Sequence, residues 1–164
     1  MKQFNSLAAF AKHIDNVTKK YPVYEKLAAN FVGEALEKEA KDKIGHLQPG
    51  WEPLAASTIE DKIKKGYVFN ADYNPLYRTG ELRDSIHHVY YAAGHTLFLG
   101  SDSDIMVYQE KGTKYIPPRP VISTTMYQAY PVVNYVMGEM LTQWVSGTPL
   151  RLRSKTYGVK NGSI

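Results

Sequence analysis

The chain contains no cysteine. This absence excludes disulfide bonds, thiolate nucleophiles and zinc sites with cysteine ligands. Also missing are the glycine-rich phosphate-binding loops, the nucleophile elbow of serine hydrolases and the His-Glu-x-x-His zinc motif. Because none of these constellations is present, we expect no enzymatic activity, no metal site and no cofactor.

Long hydrophobic runs are lacking as well. The longest stretch without a charged residue covers residues 120–138, and its Ser, Thr, Gln, Asn and Pro residues make it too polar to span a membrane. No apolar run typical of a secretory signal precedes Lys12. The sequence therefore predicts a protein without a membrane segment.

The formal charge of +4 is concentrated near the end of the sequence. Residues 148–164 carry Arg151, Arg153, Lys155 and Lys160 and no acidic residue. We expect residues 1–147 to form a single domain and residues 148–164 a flexible basic tail. Such a tail is either a solvated end or a contact for nucleic acid or for an acidic protein surface.

Apolar periodicity predicts helices at both ends of the domain. One helix is expected over Phe4–Lys20, capped by Asn5 or Ser6, and a second from Pro22 to Ile44, ended by Gly45. A capping box at residues 57–60 predicts a short helix that stops at Gly66. The last long helix is expected to open at Arg119-Pro120, to run to Ser146 and to kink or split near Tyr127 because of Pro131.

The middle of the chain shows the pattern of a hairpin. Residues 85–93 are rich in Ile, Val and Tyr, Gly94-His95 is suited to a two-residue turn, and residues 96–100 form the return strand. Thr79 is expected to cap one helical turn, and Ser103 a short helix that ends at Gly112. The predicted class is α+β, with a small antiparallel β-sheet packed against a long N-terminal-half helix and a C-terminal helix.

The histidines and acidic residues of the hairpin do not predict a metal site. His87 and His88 are adjacent on a strand, so their side chains point to opposite faces and do not readily bind one ion. Asp102 and Asp104 lack the further acids of a calcium loop, and the start of a helix accounts for them.

Arg119 stands between Pro118 and Pro120, which restrict the backbone on both sides. A guanidinium on a stiff stem can hold a carboxylate through two hydrogen bonds. The partner is either an acid of this fold, such as Glu110, or an acid of a neighbouring subunit.

Thirteen tyrosines are more than one small core needs. Tyrosine is enriched at protein interfaces, so we expect several of these rings to face a partner. The loop over residues 67–75 adds aromatic side chains among asparagines and aspartate. The candidate interface residues are Tyr67, Phe69, Tyr73, Arg119, Arg151 and Arg153.

Three short phrases in the middle of the chain occur in a specific order. The first is Trp51-Glu52-Pro53-Leu54 with Thr58, the second Pro75-Leu76-Tyr77-Arg78-Thr79-Gly80-Glu81-Leu82, and the third Gly112 with Ile116-Pro117-Pro118-Arg119-Pro120. Together they resemble the tail-component and virion-morphogenesis family of tailed bacteriophages over roughly residues 47–123. The motif residues are Trp51, Pro53, Leu54, Thr58, Pro75, Leu76, Thr79, Gly80, Leu82, Gly112, Pro118, Arg119 and Pro120.

The resemblance implies a structural virion protein at the head–tail junction, acting in tail completion, in head–tail joining or as a neck protein. It implies a ring of copies, commonly six, between the portal or its head-completion adaptor and the tail tube, in a virion assembled in the bacterial host cytoplasm. The motif residues are expected to mark the fold rather than a ligand site. The chain departs from the family pattern at residues 65–75, at 108–112 and after Pro149.

The alternative is a nucleic-acid-binding module. Arg151, Arg153 and Lys155 would contact phosphates, and Tyr157 would stack on a base. The charge of residues 1–147 is balanced, whereas nucleic-acid-binding domains usually carry a basic face. The virion role is therefore the leading expectation.

Overall fold

The computed structural model describes residues 3–68 and 70–152. These residues form six α-helices and one two-stranded antiparallel sheet, which confirms the α+β class, the long helix in the N-terminal half and the C-terminal helix. In chain order the elements are α1 (Leu7–Lys43), α2 (Ala56–Lys64), α3 (Glu81–Asp84), β1 (Ile86–Tyr91), β2 (Thr96–Ser101), α4 (Asp104–Lys111), α5 (Ile122–Gln128) and α6 (Tyr130–Ser146).

The chain divides into two compact units. Residues 33–129 form one unit, and the residues up to 32 together with those from 130 onward form the other. The single domain over residues 1–147 and the flexible tail over 148–164 stay predictions. Phe69, Arg153 and the rest of the tail beyond residue 152 lie outside the described residues.

Helix α1 continues through Pro22, so the expected break between two N-terminal helices is wrong. A proline inside a helix removes one backbone hydrogen bond and costs about 3 kcal/mol. Buried side chains on the same stripe before and after the proline offset this cost, because they are spaced by multiples of the helical repeat. They are Val17, Tyr24 and Ala28. The expected N-cap is confirmed as Ser6, whose Oγ accepts the Ala9 amide at 3.1 Å.

In the unit that contains both chain ends, contacts of Trp144 and Tyr24 hold α6 and the first part of α1 together. The Trp144 indole donates to the Val17 carbonyl at 2.7 Å, and the Tyr21 ring meets the indole edge-on at 5.0 Å. The Tyr24 hydroxyl donates to the Thr148 carbonyl at 2.5 Å. Helix α6 begins at Tyr130 with Pro131 in its first turn, as the expected split near Tyr127 requires.

The core of the unit formed by residues 33–129 brings α1, the hairpin and the connecting segments together. Trp51, which follows the Pro49-Gly50 turn, is buried in it. Leu76, Leu82 and Leu99 pack against this core from its edge. The buried residues are Ala40, Ile44, Trp51, Ile86, Met106 and Val121.

Strands β1 and β2 pair from Ile86 opposite Ser101 to Tyr91 opposite Thr96. The chain reverses through a 3₁₀ turn over Ala92–Gly94 and through His95, whose φ of 49° is left-handed. The expected two-residue turn at Gly94-His95 is therefore wrong, since the turn also takes in Ala92 and Ala93. The Thr96 hydroxyl closes this longer connection by donating to the Gly94 carbonyl at 2.7 Å.

Several predicted helix starts are displaced. Helix α2 follows Ala55 without a side-chain cap, because Ser57 and Thr58 already lie in its first turn, so the capping box is wrong. Gly80, with a φ of 99°, occupies the cap position of α3, and the hydroxyl of Thr79 before it accepts the Glu81 amide at 3.5 Å. The helix expected from Arg119-Pro120 begins at Ile122. Ser103 precedes α4 as predicted, and Gly112 ends it.

A close approach between α1 and the hairpin occurs at Gly33. The His88 ring lies against this glycine, and a methyl group there would overlap the ring. The Nδ1 atom of His88 is 2.6 Å from Oε2 of Glu37, one turn further along α1. The hairpin can therefore lie this close to the helix because Gly33 has no side chain.

We predict that Gly33→Ala destabilises the protein by about 1–3 kcal/mol, because the added methyl group overpacks the His88 contact. This loss exceeds the gain of about 1 kcal/mol that alanine brings to a helix interior. Gly138→Ala in α6 is the matched control, since a methyl group there would meet no atom within 4 Å beyond the backbone of its own helix. The free energy of unfolding of the control, measured in urea, should increase by about 0.5–1 kcal/mol. Equal effects of the two substitutions would contradict this prediction.

Candidate functional site

Residues from all three sequence phrases line one groove of about 1120 Å³, which we call the motif groove. It lies within the unit formed by residues 33–129. The predicted residue Tyr67 lines it as well. The phrase residues in its lining are Glu52, Pro53, Leu54, Thr58, Leu76, Arg78, Thr79, Gly80, Glu81, Leu82, Ile116, Pro117 and Arg119.

Arg119 is 6% exposed and holds the segment after Trp51. Its Nη2 donates to the carbonyls of Glu52 at 3.0 Å and Pro53 at 3.4 Å, and its backbone amide donates to the Gln109 carbonyl at 2.6 Å. Burial lowers the pKa of the guanidinium, and the nearby Glu52 opposes that shift. The guanidinium thus binds neutral oxygens in the described structure.

The expected internal partner of Arg119, Glu110, is wrong. Its carboxylate instead accepts the backbone amides at the start of α5, from Val121 at 2.6 Å and from Ile122, and the Ser123 hydroxyl at 2.7 Å. A carboxylate at this end of a helix is stabilised by the helix dipole and by the free amides. Glu110 therefore joins α4 to α5, and the alternative of a carboxylate from a neighbouring subunit stays open for Arg119.

Lys62 is a buried cation that the sequence analysis missed. It is 2% exposed, and its ammonium donates to the carbonyls of Tyr73 at 2.8 Å and of Asn74. Burial, followed by the positive charges of Arg78 and Arg119, lowers the pKa of Lys62 to about 8. In the sequence, the burial of Lys62 is indicated only by its position three residues after Ile59 in α2. An apolar residue would fit that spacing equally well.

Lys43, at the end of α1, is a second buried lysine without a predicted role. Its ammonium donates to Thr125 Oγ1 at 2.9 Å, Gln128 Oε1 at 2.8 Å and Thr124 Oγ1 at 3.3 Å. Burial lowers the pKa of Lys43, while Glu39 and Glu110 act in the opposite direction. The contacts tie α5 to the end of α1.

The loop over residues 67–79 is held by its own polar side chains. Asn70 donates from Nδ2 to the Gly45 carbonyl at 2.7 Å, and its Oδ1 accepts the amides of Asp72 at 3.0 Å and Asn74 at 3.1 Å. The Pro75 carbonyl accepts the Gly45 amide at 2.8 Å. Three residues of this loop have a left-handed backbone, which costs energy and needs such fixation: Tyr73, Asn74 and Leu76.

The third phrase forms a tight turn before α5. Gly112 has a φ of 71°, and a side chain there would lie 2.9 Å from the Ile116 carbonyl oxygen. Pro118 is exposed, while the Pro120 carbonyl accepts the Thr124 hydroxyl at 2.9 Å. These residues fix the backbone that presents Arg119 to the groove.

The other predicted site residues lie apart from the motif groove or outside the described chain. Tyr73 is 39% exposed, and Arg151 is exposed with its amide bonded to Gln143 Oε1 at 2.6 Å. Phe69 and Arg153 lie outside the described residues. His88 contacts α1 through Glu37, whereas His87 bonds the Ser85 carbonyl at 3.1 Å, so the two rings have different partners.

Two further kinds of feature do not occur among the described residues. No group of three side chains there could hold a metal ion. No helix in the same part of the chain has the length and apolar character needed to cross a membrane.

Comparison with protein-family models, with curated proteins and with solved structures gave no match for this chain.

We predict that the contribution of Lys62 to the free energy of unfolding increases by about 2 kcal/mol between pH 7 and pH 10. Its folded pKa of about 8 lies below the value of about 10.4 in an unfolded chain. Between these values the unfolded state binds more protons, so raising the pH favours folding. Urea unfolding of the native chain and of Lys62→Met at both pH values isolates this contribution as their difference.

Lys64→Met is the matched control, because Lys64 lies on the same helix and is exposed. The stability difference between the native chain and this variant should change little with pH. A native-minus-Lys62→Met difference that stays constant from pH 7 to pH 10 would refute the assignment of Lys62 as the titrating group.

Proposed function

We propose that this protein is a structural virion component of a tailed bacteriophage and acts at the head–tail junction, in tail completion, head–tail joining or the neck. In this role it assembles as a ring, with copies of itself on either side, between the portal or its head-completion adaptor and the tail tube. The role is non-enzymatic, and the place of action is the virion. The observation that carries the proposal is the outer face of the β1–β2 hairpin.

That outer face is apolar and exposed. Val89 and Phe98 are paired across the strands and are 51% and 57% exposed, and Tyr91 beside them is 57% exposed. No Asp, Glu, Lys or Arg occurs from Ser85 to Ser101. Exposed strands of proteins that act alone usually carry charges that prevent pairing with other chains, so this surface is suited to being covered by one.

The strand edges support the same proposal. Among the described residues, β1 and β2 pair only with each other, so each leaves one edge without a strand partner. A two-stranded hairpin is marginally stable alone, and strand addition from a neighbouring chain would complete its hydrogen bonds. Such an edge provides directional contact between subunits.

A ring also requires a second, different surface on each subunit, because head-to-tail contacts join unlike faces. Tyr115, before the turn at Pro117, and Tyr127, on α5, are almost fully exposed. Exposed tyrosines of this kind are typical of interface centres. The unit formed by residues 33–129 therefore exposes aromatic side chains both on the hairpin and outside it.

The positions of the motif residues agree with the expectation that they mark the fold. Trp51 and Pro75 are buried, Gly80 and Gly112 take left-handed turns, and Arg119 binds backbone carbonyls. These are roles that build a subunit. The resemblance to the phage family therefore rests on residues that hold the structure of this chain.

We expect that deletion of the gene from the parent phage yields filled heads and finished but detached tails in electron micrographs. Supplying the native chain from a plasmid should restore joined particles and infectivity. Supplying Phe98→Glu should not, because a charge on the hairpin face opposes its burial between subunits. Normal infectious virions from the deletion phage would rule out the proposed role.

Ile63→Glu is the matched control for this experiment. Ile63 is 57% exposed like Phe98, but it lies on α2 and not on the hairpin. Both variants should have the circular dichroism spectrum of the native chain. Complementation by Ile63→Glu and failure of Phe98→Glu would assign the contact to the hairpin.

A further inference from the structure

The motif groove contains polar atoms that the described chain leaves without a partner. The guanidinium of Arg119 has five N–H groups, and only those of Nη2 are engaged. Its Nε is buried without a hydrogen-bond partner, and so is Oε1 of Gln109, which also lines the groove. The Nη1 atom makes no hydrogen bond to a described residue and is not enclosed. An acceptor and a donor are therefore both missing at this place.

The buried cations of the groove are not paired directly with any carboxylate of the described residues. Neither the Arg119 guanidinium nor the Lys62 ammonium has a carboxylate oxygen within 4.0 Å among the described residues. The two cations are close enough for Arg119 to lower the pKa of Lys62. Because a buried cation is costly without a counter-charge, an anionic group in the groove would relieve both residues.

The walls and the exposed charges of the lining restrict which anion fits. The walls are apolar over much of their length. The exposed charged residues of the lining are the carboxylates of Glu52, Glu81 and Asp102 and the guanidinium of Arg78, which already pairs with Asp61 at 3.2 Å. A polyanion such as a nucleic acid would be repelled by these carboxylates, whereas one carboxylate among apolar side chains would pass them. The apolar wall residues are Leu54, Leu76, Leu82, Ile105, Tyr115 and Ile116.

The geometry points to the motif groove as the docking site for an extended, carboxylate-bearing segment of a different protein. The carboxylate of the segment accepts from Nη1 of Arg119 and compensates Lys62, and apolar side chains on either side contact the walls. The inference does not rest on the virion role, since it follows from the groove alone.

A second copy of this chain is a poor source of that segment. The chain has 16 Asp and Glu residues, and all but Glu52, Asp72 and Asp102 lie in α-helices. Glu52 and Asp102 line the groove itself, and the Asp72 carboxylate accepts the Leu47 amide at 3.1 Å. The described chain therefore has no free extended acidic segment, and the occupant comes from another protein.

Selection of short random peptides on the intact chain tests the inference. Enriched peptides should share a Glu or Asp next to apolar residues. One of them is then synthesised with its twin, in which each acid is replaced by the amide. Fluorescence anisotropy should show that the twin binds about tenfold more weakly or worse, because one charge-assisted hydrogen bond is lost.

Gln109→Glu tests the place of binding. It has nearly the same shape and puts a carboxylate beside Arg119, so it should weaken peptide binding by about tenfold or more. Lys64→Gln, on the exposed side of α2, should bind as the native chain does. The comparison of the acidic peptide with its twin uses the native chain. It therefore still tests the inference if the Gln109→Glu chain fails to fold.

Four results of the binding experiments would overturn the inference, and a fifth result concerns self-association. They are the absence of any enriched peptide, equal binding of the twin, native binding by folded Gln109→Glu, and displacement of the peptide by a single-stranded oligonucleotide. Self-association that the acidic peptide abolishes would identify a second copy as the occupant and would also overturn it. None of these results bears on the phage deletion experiment, so the two proposals fail independently.

Discussion

Buried cations bonded to neutral oxygens hold the unit formed by residues 33–129 together. Arg119 fixes the segment after Trp51, Lys62 fixes the loop before Leu76, and Lys43 fixes α5. Around each cation, carbonyl, hydroxyl or amide oxygens take the place of the water that would otherwise hydrate the charge. Because these acceptors belong to connecting segments and to α5, the same bonds that solvate the cations also position the turns that carry the sequence phrases.

This arrangement has an electrostatic consequence. Neutral oxygens satisfy the hydrogen-bonding capacity of a cation but do not cancel its charge, so the groove lined by Arg119 and Lys62 stays positive at depth. Glu110 would be the obvious counter-ion, yet it is committed to the first amides of α5. The fold thus uses Glu110 for a helix start, and no carboxylate of the described residues pairs directly with Arg119 or Lys62.

The sequence was sufficient for features that depend on periodicity and on glycine. Helices α4 and α6, the helical character of α1 on each side of Pro22, the two strands and the helix ends at Gly45, Gly66 and Gly112 follow from apolar spacing and from left-handed turns. The burial of Trp51 and the break before α6 were also predictable. The three phrases contain much of the groove lining, although their expected role was to mark the fold.

What the sequence did not predict depends on contacts distant along the chain. The helix break at Pro22 was overruled by packing of α1 residues on both sides of the proline, and no local signal reports that packing. Lys62 is one of three lysines within four positions, and only the carbonyls of Tyr73 and Asn74, brought near by the loop, distinguish it. Arg119 was singled out correctly, but its partners are backbone atoms, which sequence patterns do not encode.

The hairpin and the motif groove meet at one place in the fold. Ser85 precedes β1 and Asp102 follows β2, and both residues line the groove. The uncharged hairpin and the charged motif groove are therefore adjoining surfaces of the same unit. Subunit contact through the hairpin and segment capture in the groove are thus compatible uses of adjoining surfaces, each with its own physical basis.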